Sequence, residues 1–199
     1  MILQVEVLRD LAARVLSEER FRHTLGVADW AEQLAGHHGL DPVRARCAGL
    51  VHDLAKEVSL NNQLRYARRW DLLHYPEDEK SPYVLHGPVA AYWLEHYYGL
   101  DDAEVLAAVE NHTLGRPGMG PLEMLIYSAD LTERDRDFPK VDILRQSLYD
   151  NLEKGTLACV EHTLIYLRES KRPIHPLTQL TFDDLQRRLN IGTGSKNTR

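Results

Sequence analysis

The sequence predicts an all-α helical bundle folded as one domain. Apolar residues recur at three-and-four spacing along most of the chain, which is the period of an amphipathic helix. Residues that end one helix and begin the next separate these stretches. For example, Gly39 ends one helix, Asp41 caps the next, and Pro42 takes its first helical position. No segment shows the alternation of a strand or the turn of a hairpin. The 199 residues suffice for one large domain, and no linker divides them.

Each helix is predicted from its own apolar stripe and caps, with Ser17, Asp41, Ser59 and Asp101 as N-caps. The segment YPEDEKSP (75–82) is predicted to be a polar turn, and TLGRPGMGP (113–121) a glycine- and proline-rich loop. The predicted helices span 5–16, 17–39, 42–56, 59–70, 86–99, 101–112, 121–132, 139–152, 154–170 and 181–190. The domain is predicted to comprise residues 1–190, and the polar residues 191–199 a disordered tail.

Composition and charge narrow the function classes. The net charge of -6 argues against a nucleic-acid binder, although clustered cations can still bind an anionic small molecule. No apolar run is long enough to span a membrane, and the charged N-terminus does not resemble a secretory signal. Cys47 and Cys159, the two cysteines, lie in apolar helical patterns and suit a reducing compartment. We therefore expect a cytoplasmic protein without a disulfide.

The stretch AGLVHDLAKE (48–57) places His52, Asp53 and Lys56 within an apolar segment. Burying such groups costs several kcal/mol each, roughly, unless a partner satisfies them. Either a metal ion or an internal salt bridge can be that partner.

An internal similarity bears on this choice. GLDPVRARCAGLVHD (39–53) aligns without gaps on GLDDAEVLAAVENHT (99–113), and each segment places a histidine thirteen residues after its first glycine. Each is preceded by a helix with a histidine near its start, His23 and His86. Either common features of helix starts produce this pattern, or two helical hairpins each contribute two histidines to a shared centre.

His23, His52, Asp53 and Asp130 are the candidate metal ligands. Two imidazoles and two carboxylates suit iron, manganese or another divalent ion better than structural zinc, which favours thiolates. The alternative is a satisfied core or surface histidine at position 23 and a buried cap or salt bridge at position 130. His86 and His112 can complete a second metal site or donate hydrogen bonds to phosphate oxygens.

The ordered series His23, His52-Asp53, Asp130 resembles the H…HD…D signature of the HD-domain metal-dependent phosphohydrolases. The fuller pattern resembles the YqeK family of symmetrical bis(5'-nucleosyl)-tetraphosphatases in order and spacing, over residues 15–185. The matching segments are RFRH (20–23), GLVHDLAKE (49–57), LHG (85–87), NHTLG (111–115) and ADLTERDR (129–136).

The resemblance implies a single HD-domain helical bundle and a role for each matching residue. The metal, reported as iron in the family, would be held by His23, His52, Asp53 and Asp130. Asp53, Lys56 and Asp130 would be catalytic. KRPIHPLT (171–178) resembles a segment that lies over the nucleotide, which adds Arg172 and Ile174 to the substrate contacts. The other implied substrate contacts are Arg20, Asp53, Lys56, His86, His112, Thr113, Asp130 and Arg136.

This chain departs from the family in one place. The family often has Glu-Pro after Asp130, where this chain has Glu133-Arg134. We interpret this as a changed turn residue rather than a changed ligand.

The function expected from the resemblance is cleavage of diadenosine tetraphosphate into two ADP by metal-activated water. A divalent ion lowers the pKa of bound water towards neutrality, and Lys56, Arg20 and Arg136 can neutralise charge on the phosphate. The alternatives are another HD-type phosphohydrolase (a nucleotidase or a guanosine tetraphosphate hydrolase) and a non-catalytic helical ligand-binding module. The expected partner is a small nucleotide, and we expect no binding to nucleic acid or to a membrane. Whether the chain forms a homodimer is left open.

Overall fold

The computed structural model describes residues 4–194, and this part of the chain contains eleven α-helices and no strand. The all-α prediction is therefore confirmed. The helices are α1 (Val5–Val15), α2 (Glu18–His37), α3 (Pro42–Val51), α4 (Leu60–Arg69), α5 (Pro76–Lys80), α6 (His86–His96), α7 (Ala103–Asn111), α8 (Pro121–Thr132), α9 (Val141–Asp150), α10 (Leu152–Glu169) and α11 (Pro176–Gly194). A 3-10 turn at Pro82–Val84 precedes α6.

Side-chain caps begin several of these helices. The Ser17 hydroxyl accepts a hydrogen bond from the Arg20 N–H, and Asp41 accepts from the Val43 N–H. Asp102, rather than the predicted Asp101, caps α7 by accepting from the N–H of Val105 at 3.1 Å. These caps satisfy N–H groups that the first turn of a helix leaves free.

Helix α3 lies at the centre of the fold and packs against α1, α2, α7 and α8. Its residues from Cys47 to Val51 are buried. Gly49 lets α3 approach α2 closely, since a Cβ at this position would lie 2.7 Å from the Cα of Ala28. Cys47 and Cys159 are both buried and free, as expected for core residues.

The second hairpin closes in a similar way. A Cβ at Gly87 in α6 would lie 2.7 Å from the carbonyl oxygen of Glu110 in α7, so glycine is needed at this contact too. The two close contacts bring the ends of α3 and α7 towards the starts of α2 and α6. No helix in the described part of the chain is long and apolar enough to cross a membrane.

Three predicted boundaries are wrong. Helix α3 ends at Val51 rather than near Lys56. The residues that follow form turns with hydrogen bonds from residue i+3 to residue i, and in one of them the Lys56 N–H donates to the Asp53 carbonyl at 2.8 Å. The polar segment 75–82 contains α5, since Pro76 suits an N1 position and Asp78 accepts the backbone N–H groups of His74 and Tyr75.

The third difference is at the C-terminus. Helix α11 begins five residues before the predicted start and continues to Gly194, four residues into the predicted tail. The rest of that tail, 195–199, lies outside the described residues, as do residues 1–3.

Candidate active site

Four histidines from separate parts of the chain converge at one centre. His23 lies near the start of α2, His86 is the first residue of α6, and His52 and His112 directly follow α3 and α7. Ring centroids are 5.5 Å apart for His23 and His52, and 4.9 Å apart for both His52–His112 and His86–His112. Of the two alternatives left open by the internal similarity, the structure has the second: two helical hairpins each contribute two histidines to one centre.

Backbone carbonyls fix the orientation of three of these rings. The Nδ1 atom of each ring lies within hydrogen-bond distance of the carbonyl three residues earlier: His52 to Gly49 at 2.8 Å, His86 to Tyr83 at 2.8 Å and His112 to Val109 at 2.7 Å. A carbonyl only accepts, so Nδ1 carries the proton and donates it. In the neutral rings Nε2 is therefore left with a lone pair.

Asp130, near the end of α8, also belongs to the centre. Its Oδ1 lies 3.0 Å from Nε2 of His23 and 3.9 Å from Nε2 of His52. Asp130 thus contacts both histidines of the first hairpin.

Asp53 contacts the remaining two histidines and is 1% exposed. Its Oδ1 lies 3.2 Å from Nε2 of His86 and 3.5 Å from Nε2 of His112. Its Oδ2 lies 3.5 Å from Nε2 of His52. Asp53 therefore bridges the two hairpins.

The surroundings set the protonation of these groups. Burial lowers the pKa of His52 to about 4 and also lowers the pKa of His86. Burial acts to raise the pKa of Asp53 and of Asp130, but the surrounding imidazoles outweigh it and hold both pKa values below their usual range. Neutral imidazoles and ionised carboxylates are the forms that bind a metal ion.

His23 differs from the other three rings. Burial alone would lower its pKa, but hydrogen bonds to Asp130 and Glu133 outweigh burial and raise the pKa to about 9. When His23 is protonated, the proton on Nε2 lies next to Asp130, where a metal ion would lie. His23 must lose this proton before it can bind a metal ion.

Two buried acceptors of the centre have no hydrogen-bond partner in the described part of the chain. They are Nε2 of His52 and Oδ1 of Asp53. Leaving such groups unpaired is costly, and a cation between them removes the cost. Two groups of side chains have ligand atoms within 4.8 Å of one another: His23, His52 and Asp130, and His52, Asp53 and His112. The residues of the centre thus fit a divalent metal ion.

Glu133 is a residue of the centre that the sequence analysis missed. Its Oε1 lies 3.2 Å from Nδ1 of His23, and its buried carboxylate also accepts the Asp135 N–H at 2.7 Å. Gly26 leaves room for it, since a Cβ there would lie 2.8 Å from Oε2 of Glu133. The sequence analysis assigned no role to Glu133. A ligating histidine usually donates the N–H of its other ring nitrogen to an acceptor, and this rule could have directed the search to a carboxylate such as Glu133.

Cations and a hydroxyl line the side of Asp53. Arg20 donates to Oδ2 of Asp53 at 2.9 Å. Nζ of Lys56 lies 3.2 Å from Nε2 of His86 and 3.9 Å from Oδ1 of Asp53. The Thr113 hydroxyl lies 3.1 Å from Nε2 of His86 and 3.1 Å from that of His112. Two of these predicted substrate contacts, Arg20 and Lys56, therefore lie beside the predicted metal ligand Asp53, and the third, Thr113, lies beside His86 and His112.

Arg136 reaches back to the end of α8 from the following loop. Its Nη2 donates to Oδ1 of Asp130 at 3.1 Å, and its Nε donates to the Asp130 carbonyl at 3.1 Å. Arg145 holds this loop, donating to the carbonyls of Glu133 at 2.7 Å and Arg136 at 2.9 Å.

Arg172 and Ile174 are not joined to the centre by any hydrogen bond or ion pair within residues 4–194. The exposed Arg172 guanidinium lies 5.7 Å from the centroid of the Tyr166 ring, and Ile174 packs partly buried against the core. The neighbouring His175, which the sequence analysis did not single out, is buried and pairs with Asp78 at 3.0 Å.

Comparisons with known proteins agree with this architecture. The HD domain family model matches residues 20–153. A Halalkalibacterium halodurans protein named symmetrical bis(5'-nucleosyl)-tetraphosphatase is 34% identical over 174 residues, 85% of this chain and 90% of its own. A Staphylococcus aureus protein of the same name is 36% identical over 171 residues, 83% of this chain and 86% of its own.

A solved structure has the same fold. It is described as a predicted HD superfamily hydrolase involved in NAD metabolism, from Clostridium acetobutylicum. It superposes with a TM-score of 0.88 at 34% identity and covers 93% of this chain and 98% of its own.

Proposed function

Because the chain belongs to the HD-domain hydrolases and, among them, to the family of symmetrical bis(5'-nucleosyl)-tetraphosphatases, we propose that it hydrolyses diadenosine tetraphosphate to two ADP. One observation carries the proposal. A buried set of imidazoles and carboxylates with unpaired acceptors lies directly beside Arg20, Lys56 and Arg136. This combination suits a divalent cation bound next to a polyphosphate.

His23, His52, Asp53 and Asp130 are the proposed ligands of that ion, and iron is its proposed identity. Nitrogen and oxygen donors without thiolate favour iron or manganese over structural zinc. Such an ion supplies a water of lowered pKa at neutral pH. Elemental analysis of protein purified without oxygen tests the identity, and stoichiometric zinc without iron would contradict it.

The protein's own groups act on the phosphates. In symmetrical cleavage, the water oxygen forms a bond to an inner phosphorus, and the bridging oxygen leaves with its electron pair on ADP. Asp53 and Asp130 both lie within 4 Å of Nε2 of His52 and can accept the proton released by the water. Lys56 provides a cation for the charge that develops on the phosphate, as do Arg20 and Arg136.

His86, His112 and Thr113 are proposed to line the phosphate site. In the tautomers described above, the two Nε2 atoms lie 3.0 Å apart and both act as acceptors in the neutral rings. A phosphate oxygen is an acceptor as well. It can therefore contact either ring only if a proton or a second cation lies between the Nε2 atom and the oxygen. Arg172 and Ile174 stay proposed contacts of the nucleotide, supported by the resemblance of their segment alone.

Product analysis tests the reaction. We expect diadenosine tetraphosphate to give ADP alone on anion-exchange chromatography. ATP together with AMP would contradict symmetrical cleavage. Guanosine tetraphosphate, NAD and mononucleotides in the same assay test the alternative that the chain is a different HD-type phosphohydrolase. Preferred turnover of one of these would replace the proposed substrate.

A non-catalytic ligand-binding module is the alternative of a different class. Protein that lacks both bound metal and hydrolysis would favour it. Three further proposals rest on composition and family. They are a cytoplasmic location, the absence of a nucleic-acid partner and the possibility of a homodimer. Light scattering of the purified chain tests the last of them.

A further inference from the structure

Helices α4 and α6 form an open cavity of about 380 Å³ that the proposed reaction does not use. Five aromatic residues line it, and we call it the aromatic pocket: Tyr66, Trp70, Trp93, Tyr97 and Tyr98. Its volume lies within the range of small-molecule sites. Tyr97 is 64% exposed, which is a large fraction for so large an aromatic ring.

The rings around the pocket are already ordered. Tyr66, Trp70, Tyr92 and His96 form a continuous stack, with successive centroids 4.8, 4.2 and 3.9 Å apart and planes within 5° of parallel. Trp93 and Tyr97 stand edge-on to this stack, at 69° to Tyr66 and 63° to Trp70. Both faces of Trp70 and of Tyr92 are covered by this stack, so the exposed Tyr97 is the ring on which a planar ligand would stack, beside side chains that are already ordered.

Polar atoms on these rings are free. The indole N–H of the buried Trp30 donates to Thr132 at 3.0 Å. By contrast, the indole N–H groups of Trp70 and Trp93 have no acceptor among residues 4–194, and neither Tyr97 nor Tyr98 uses its hydroxyl there. Tyr and Trp in a binding surface commonly use such groups to orient a ligand.

Helix α4 brings positive charge to the pocket, although the whole chain is acidic and Asp71 and Glu95 are nearby in the sequence. Helix α4 carries three arginines and no acidic residue. Arg68 pairs with Glu79, but Arg65 and Arg69 form no ion pair within the described part of the chain. The Arg65 guanidinium lies 5.5 Å from the Tyr66 centroid, and Arg69 follows one turn later on the same side of the helix. Two free guanidinium groups oppose a cationic ligand and favour an anionic one.

We propose that the aromatic pocket binds a nucleotide, with the base stacked on its rings and the phosphate at Arg65 and Arg69. Aromatic stacking next to arginine is the chemistry that recognises bases without sequence preference. No residue that lines the pocket belongs to the catalytic centre, and Trp93 comes seven residues after His86 in α6, ~10 Å along the helix axis. The proposal does not depend on the reaction proposed above.

Tryptophan fluorescence titrated with AMP tests this proposal, because two of the three tryptophans line the pocket. We expect saturable quenching in the wild type. Tyr97→Ala should weaken AMP binding about tenfold, the scale of one lost base stack. Ile143→Ala, which truncates a side chain that is 65% exposed on α9, should leave binding unchanged.

Ligand fragments separate the two halves of the site. Arg69→Ala should weaken AMP several-fold and leave adenosine binding unchanged, while Arg187→Ala, an exposed arginine on α11, changes neither. Ribose 5-phosphate, which lacks a base, should bind far more weakly than AMP. Unchanged AMP affinity in Tyr97→Ala, or equal binding of ribose 5-phosphate, would overturn the proposal.

Two further readouts exclude other occupants. Steady-state kinetics of Tyr97→Ala should match the wild type, and a raised KM for the dinucleotide at unchanged kcat would mean that the pocket holds part of the substrate. Light scattering should give the same mass for wild type and Tyr97→Ala. A wild-type dimer that this change dissociates, without any AMP binding, would assign the pocket to a second copy of the chain. Either result would refute a separate nucleotide site.

Discussion

Glu133 lies on the far side of the His23 ring from the centre, since it contacts Nδ1 while Nε2 faces Asp130. A ligating histidine whose second nitrogen donates to a carboxylate keeps one tautomer and one ring orientation. Carbonyls do the same for the other three histidines. His23 is thus the one ring of the four whose orientation depends on a side chain.

We expect Glu133→Ala to weaken metal affinity by roughly 10–100-fold, because His23 loses the acceptor that orients it. Glu133→Gln should have a smaller effect, since an amide oxygen can still accept. Competition against a chelator measures both. Glu18→Ala, which removes a side chain that is 91% exposed, is the control. Wild-type affinity in Glu133→Ala would show that the contact is not needed.

His52 and Asp53 hold the two unpaired acceptors of the centre. Replacing either by Ala should remove the metal, measured as moles of metal per mole of purified chain. His37→Ala, which removes an exposed histidine bonded to the Tyr149 carbonyl, should keep it. Full occupancy in both His52→Ala and Asp53→Ala would mean that the ion binds elsewhere.

Lys56 should act on the phosphates rather than on the fold. Lys56→Ala should lower kcat/KM by roughly tenfold or more, the scale of one lost charged hydrogen bond, and change stability by less than ~0.5 kcal/mol. The exposed Lys80→Ala is the control. Kinetics and melting temperature decide the question, and unchanged turnover in Lys56→Ala would reject the assignment.

Arg136 needs a second measurement, because it donates to Asp130 as well as facing the phosphate site. We expect Arg136→Ala to lower kcat/KM by a similar factor while metal content stays at the wild-type level. A loss of metal in parallel with activity would instead make Arg136 a residue that positions Asp130.

At the scale of elements, the contact of α2 with α3 brings His52 to His23. A Cβ at Gly49 would lie 2.7 Å from the Cα of Ala28 and 2.9 Å from its backbone nitrogen, and backbone cannot move aside as a flexible side chain can. Gly49→Ala should therefore destabilise the protein by about 1–3 kcal/mol or more in urea unfolding.

Gly36, in the last turn of α2, is the matched control for this change. A Cβ there meets nothing within 4 Å. Gly36→Ala should therefore stabilise the protein by roughly 0.5–1 kcal/mol, because alanine is the better helix former. Equal effects of the two substitutions would argue against the close contact.

At the scale of the whole molecule, the centre joins two hairpins and α8, which are distant in sequence. An ion held by residues of α2, α8 and the turn after α3 binds the folded chain and has no preformed site in the unfolded chain. Removing it should therefore lower the melting temperature, and adding it back should restore the wild-type value. At a free ion concentration of 1,000 times Kd the expected stabilisation is about 4 kcal/mol.

Calorimetry with and without a chelator measures this effect. The Asp53→Ala variant is the internal control, because a chelator should not change its melting temperature. A wild-type melting temperature that is indifferent to chelator would mean that the ion contributes nothing to the fold.

The local features of this protein could be predicted from its sequence. Caps such as Ser17 and Asp41 and the three-and-four apolar spacing depend on neighbours within one or two turns, so the helices followed from them. The four proposed ligands were predicted because His52 and Asp53 interrupt an apolar segment and the series His23, His52-Asp53, Asp130 resembles the HD-domain signature. The internal similarity offered a shared centre of four histidines as one of two alternatives.

Only the tertiary structure decided the contacts between elements. The end of α3 at Val51, the carboxylate of Glu133 on His23 and the meeting of Trp70 with Tyr97 depend on how helices pack. Periodicity states which face of a helix is buried but not which residue of another helix lies against it. No local pattern in the sequence marks Glu133 as a residue of the centre. It becomes a partner of His23 because α2 and α8 pack side by side, with Gly26 leaving space for its carboxylate.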